Sequence, residues 1–130
     1  MENRIIKFRG KNIHTGEWLY GDYHREGKTH YITKPGDYLR EYAPIEFIVD
    51  GKTVGQFTGL LDKNGKEIYE GDILGCPEDN YFLNETVIFT EGCFMVKDDY
   101  TTTPMCAIDA QYRTVIGNIH NHPSLISDKQ

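Results

Sequence analysis

The chain opens with apolar residues alternating with basic ones, through Ile6, Lys7, Phe8 and Arg9 to Gly10. That period of two predicts a strand over residues 5–10, with Ile6 and Phe8 turned to a core and Lys7 and Arg9 to water. Residues 12–16 carry turn chemistry, and residues 17–24 then predict a second strand that pairs with the first as a hairpin. On that strand Trp18, Tyr20 and Asp22 share one side, and Leu19, Gly21 and Tyr23 the other. Trp18 beside Leu is read as a core residue rather than as an exposed stacking platform. A polar turn at residues 25–28 leads into a short strand over residues 29–33, which Lys34-Pro35-Gly36 stops. Residues 37–46 have no clean period and contain Pro44, so they are expected to be an irregular connection.

The apolar run of residues 45–49 ends in Asp50-Gly51, and a boundary between two lobes is expected there. Residues 53–74 then hold the densest backbone instructions. Asn64-Gly65 predicts a type I′ hairpin turn, and Gly71 interrupts the apolar pairs Ile68-Tyr69 and Ile73-Leu74, which predicts a bend or bulge. Residues 85–90 and 93–97 flank Glu91-Gly92 as a second hairpin, residues 98–104 read as a polar loop, and residues 111–120 hold the last strand. His122-Pro123 starts a single helical turn whose Leu125 and Ile126 would plug one end of a barrel. In the polar loop of residues 75–84, Tyr81, Phe82 and Leu83 stand out as apolar; they either tuck under the loop or meet a partner.

Three segments carry a family resemblance. Gly55-Gln56-Phe57-Thr58-Gly59-Leu60 with the stretch from Asp62 to Ile73, Gly16-Glu17-Trp18-Leu19-Tyr20-Gly21-Asp22, and Ile116-Gly117-Asn118-Ile119-His120-Asn121-His122-Pro123 resemble the signature of the YopX-like family. The last segment departs from the family's usual Asn-Pro-Glu, since His122 is inserted and Ser124 replaces the acid. The resemblance implies a phage- or prophage-encoded protein, without an assigned activity, whose C-terminal portion is a small SH3-like β-barrel. The expected fold is therefore all-β: an N-terminal hairpin and meander lobe over residues 1–50 and an SH3-like barrel over residues 51–130.

Composition narrows the function. The 130 residues are 38% hydrophobic and 26% charged, which suits one soluble globular domain. No apolar run is long enough to span a bilayer and no signal-peptide pattern opens the chain, so a cytoplasmic protein of the bacterial host, with no membrane contact, is expected. Residues 1–50 hold eight Lys or Arg and eight Asp or Glu; residues 51–130 hold six and twelve, and thus the whole formal charge of −6. An acidic lobe repels phosphate backbones, so duplex nucleic acid is an unexpected partner.

Candidate chemistry is thin. Cys76, Cys93 and Cys106 are widely spaced, and His120 with His122 supplies two ligands at most, so neither a metal site nor a cofactor is expected. Asp72, with Glu70 or Asp62, would offer a carboxylate pair for a small enzyme, yet an Asp beside Gly more simply satisfies turn N–H groups. Nucleophile and phosphate-loop motifs are absent. The expectation is a noncatalytic, homo-oligomeric binding or assembly module with an unidentified phage or host protein as partner, and with Tyr81, Phe82 and Leu83 as its contact. The alternative is a single-stranded nucleic-acid binder that uses tyrosines for stacking and Lys7, Arg9, Lys11 and Arg25 as a basic strip.

Overall fold

The computed structural model describes residues 4–34 and 45–126. The chain divides into two compact units, Met1–Phe57 and Thr58–Gln130. In the first, β1 (Phe8–Lys11), β2 (Trp18–Glu26), β3 (Thr29–Thr33) and β4 (Ile48–Val49) lie in the order β4-β3-β2-β1. The start of β5 (Gly55–Leu61) pairs with β1, Phe8 opposite Gln56 and Arg9 opposite Gly55. That pairing places residues 51–57 in the first unit, beyond the boundary expected at Asp50-Gly51. Most of the expected irregular connection lies outside the described residues; its end forms a 3-10 turn, Ile45–Phe47.

Asn12 organises this unit from a buried position. Its amide donates to the carbonyls of Glu46 at 2.9 Å and Ile48 at 3.2 Å, while its oxygen accepts from His14 and Thr15 N–H groups. One side chain thus closes the β1–β2 turn and ties it to β4. The core beneath holds Tyr31, Ile32, Val49 and Phe57.

In the second unit the end of β5 pairs with β6 (Glu67–Tyr69), and a separate sheet runs β10-β9-β8-β7-β11. Its strands are β7 (Asp72–Gly75), β8 (Glu85–Thr90), β9 (Cys93–Lys97), β10 (Thr102–Pro104) and β11 (Thr114–Asn118), all antiparallel. Ile68, Leu74, Val87, Val96, Met105 and Ala110 form its core. The protein is all-β, but the expected barrel is not closed: among the described residues β10 and β11 are the edges of an open sheet. Closure needs those two strands to pair, and β10 is three residues long and ends in Pro104, which has no N–H to offer a neighbour. Leu125 accordingly plugs no barrel; its carbonyl accepts from Asn84 Nδ2 at 2.8 Å. β10 lies in the stretch expected to be loop, formed because Asp98 accepts the N–H groups of Tyr100 and Thr101 and turns the chain back along β9. No helix among the described residues is long and apolar enough to cross a membrane.

Glu91-Gly92 forms the tight hairpin turn expected of it, and the type I′ geometry expected at Asn64-Gly65 is found there instead. Glu91 and Gly92 both have positive φ, 51° and 82°, and join Thr90 to its partner Cys93, which is the two-residue I′ geometry. At Asn64-Gly65 only the glycine has positive φ, 82°. The Gly65 N–H donates to the Asp62 carbonyl at 3.0 Å, so Lys63 and Asn64 are the central residues and Gly65 follows as a left-handed bulge. The Asp62 carboxylate imposes this by accepting the N–H groups of Asn64 and Lys66, both at 2.8 Å. Gly65→Val is expected to lower stability by about 2 kcal/mol, since a β-branched residue pays to hold that φ. An unchanged thermal melt would overturn the assignment.

Candidate functional site

Asp62 does more than shape its turn. Its second carboxylate oxygen accepts from the Val115 N–H at 2.8 Å, and beside it the Lys63 N–H donates to the Arg113 carbonyl at 2.8 Å. These two bonds hold the β5–β6 turn against the start of β11. Burial pushes the Asp62 carboxyl up, but the N–H groups of Val115, Lys66 and Asn64, with the Lys66 charge, together hold it below its ordinary value.

The juxtaposition builds a cavity of about 550 Å³ lined by Lys63, Cys76, Glu78, Asp79, Phe82, Gln111, Tyr112 and Arg113. Its wall is a stack: the Arg113 guanidinium lies over the Phe82 ring at 5.2 Å from the centroid. Two bonds to the Glu85 carboxylate, at 3.0 and 3.2 Å, fix that guanidinium as a bidentate pair, with a further bond to the Asp109 carbonyl at 3.3 Å. Glu85 is buried, so Arg113 is the partner that allows its charge to stay there. At the rim, Lys63 pairs with Glu78 at 2.6 Å. Glu78 holds the amine above its ordinary value, and Lys63 holds the Glu78 carboxyl below its own. The Cys76 thiol lies 3.8 Å from the other Glu78 oxygen.

Tyr81, Phe82 and Leu83 differ in their exposure. Phe82 tucks under Arg113 and lines the cavity, whereas Tyr81 is 92% exposed and Leu83 is also exposed. Tyr112, 68% exposed, joins Phe82 in the cavity lining from a segment further along the chain. Sequence reasoning missed Tyr112, Arg113 and Asp79; the apolar triplet in a polar loop was the only pointer to this place. Arg113 and Glu85 are 28 residues apart, and no local pattern joins them.

The basic strip fares differently. Lys7, Arg9 and Lys11 do share one face, where Lys7 lies 5.7 Å from the Phe57 ring, and Arg9 and Lys11 lie 4.5 and 6.0 Å from the Trp18 ring. Arg9 was expected to face water, yet it is 5% exposed. Trp18 is half-buried beneath these cations rather than sunk in the core. Arg25 has the opposite strand parity to Trp18, and its Nε donates to the Gly27 carbonyl at 2.9 Å.

Asp72 is buried, and its carboxylate accepts the Tyr69 N–H at 2.7 Å across the Glu70-Gly71 turn. His122 Nδ1 accepts the Asn118 N–H at 3.2 Å, and the His120 N–H donates to Asn118 Oδ1 at 3.0 Å. Among the described residues no three His, Cys, Asp or Glu side chains gather as metal ligands.

Among the described residues, open antiparallel sheets joined by turns and short 3-10 segments define a small all-β protein. The chain belongs to the YopX protein family, whose model matches residues 7–127. It is similar to the crystal structure of protein EF1440 from Enterococcus faecalis, with 25% sequence identity and a TM-score of 0.58, covering 96% of this chain and 100% of that one. No curated protein matches the sequence.

Proposed function

We propose that the chain is a noncatalytic, phage- or prophage-encoded binding or assembly module that acts in the bacterial cytoplasm and self-associates. The observation that carries this reading is the set of large aromatic side chains left in solvent on the second unit, Tyr81, Tyr100 and Tyr112. Rigid amphipathic rings lose little freedom on contact and are favoured where proteins meet. The β10 edge of the sheet adds backbone groups for strand addition, whereas the start of β11 is already held by Asp62 and Lys63. The charged groups around the cavity support binding over catalysis, since Lys63, Glu78, Arg113 and Glu85 are committed to one another. Asp72, the carboxylate nominated for an enzyme, holds a backbone N–H from a buried position. No cofactor enters the proposal, and tight binding of duplex nucleic acid is not expected of it.

The single-stranded nucleic-acid reading is weaker on one ground: Arg9, the centre of its basic strip, is too buried to meet a phosphate. Light scattering over a wide concentration range tests the self-association. A mass above that of one chain is expected, reduced in Tyr81→Asp; a monomer at the highest concentration would overturn it.

A further inference from the structure

We infer that the cavity of the second unit seats a lysine or arginine side chain presented by a basic segment of a partner protein. The charges lining it decide the sign of the occupant. Both lining cations are already paired, Lys63 with Glu78 at 2.6 Å and Arg113 with Glu85 at 3.0 Å. An anion entering the cavity would have to displace one of those carboxylates, and the Arg113 pair is bidentate and largely buried. Asp79 is different. Its Oδ1 accepts the Tyr81 N–H at 2.9 Å, but among the described residues no Lys or Arg pairs with it. It is the lining charge left to meet a ligand.

The rest of the lining suits the same occupant. Tyr112 offers a ring face to its cationic head, and Phe82, whose ring Arg113 already covers, adds apolar wall for an aliphatic stem. A volume of about 550 Å³ is in the range of built ligand sites and admits a long side chain with its flanking backbone. Approach is favoured from a distance as well, because residues 58–130 hold twelve Asp or Glu against five Lys or Arg. The same imbalance disfavours a second copy docking here through its own acidic unit. Tyr112 serves both this inference and the self-association reading, whereas Asp79 serves only this one, so Asp79→Asn tells the two apart.

The test uses the full chain and a fluorescein-labelled peptide of alternating arginine and glycine, read by fluorescence anisotropy. Saturable binding that weakens with salt is expected, and the peptide with glutamate in place of arginine should not bind. Asp79→Asn and Tyr112→Ala should each weaken binding about threefold, the scale of an exposed ion pair or cation–π contact. Asp99→Asn makes the same charge change on an exposed residue outside the cavity lining and should weaken it less. Equal loss in Asp79→Asn and Asp99→Asn would reduce the effect to the general field and overturn the site. Absence of saturable binding would overturn it too. Equally tight binding of free arginine would replace a protein segment with a small molecule, and a drop in oligomer mass on Asp79→Asn would make the occupant a second copy; both would refute the proposal as stated.

Discussion

Asp62→Ala is expected to lower stability by about 3 kcal/mol, because the carboxylate it removes accepts three backbone N–H groups, from Asn64, Lys66 and Val115. Two of those donors shape the β5–β6 turn, and the third joins the turn to β11, so the substitution severs a local and a long-range bond at once. Asp62→Asn keeps one good acceptor oxygen and should lose less. The same residue shapes the acid limb of the stability curve. Its folded carboxyl sits below the ordinary value of 3.8, so the native state takes up its proton less readily than the unfolded chain. The contribution is therefore complete above about pH 3.8 and is lost as pH falls through the lower folded value. Asp98, held down by the Tyr100 and Thr101 N–H groups, acts in the same direction. Denaturant unfolding as a function of pH checks both statements: Asp62→Asn should flatten the acid limb, and a wild-type slope in that variant would sink the assignment.

Gly21→Ala should cost at least as much, by about 3 kcal/mol or more, through a collision rather than a lost bond. A Cβ at Gly21 would lie 1.9 Å from the Thr33 carbonyl oxygen and 2.9 Å from its carbon, and both atoms belong to backbone. No rotamer change relieves such a contact. At this point β2 passes from its pairing with β1, ending at Phe8 opposite Gly21, to its pairing with β3, starting at Asp22 opposite Thr33. Relief means pulling β3 away from β2 where Thr33 is almost wholly buried. A denaturant midpoint within error of wild type would show that the strands part there without cost.

The sequence by itself determined the elements that rest on neighbours along the chain. Turn residues on either side marked β2 over residues 17–24 and β3 over residues 29–33, and Glu91-Gly92 marked the β8–β9 turn, because turn chemistry and positive φ are local properties. The family resemblance was legible too, and with it the all-β class. The tertiary structure decided what depends on partners distant in sequence. A closed barrel and an open sheet share the same strands, and they differ only in whether β10 meets β11. The turn at residues 62–66 follows the carboxylate of Asp62 rather than the Asn-Gly pair, since the acceptor of three N–H groups outweighs a local φ preference. Arg9 lies buried against Trp18 although alternation sends it outward, because parity fixes a face and cannot say what covers that face. The cavity needed Lys63, Asp79, Phe82 and Arg113 brought together from separate segments, and only hydrogen bonds such as Asp62 to Val115 and Arg113 to Glu85 bring them there.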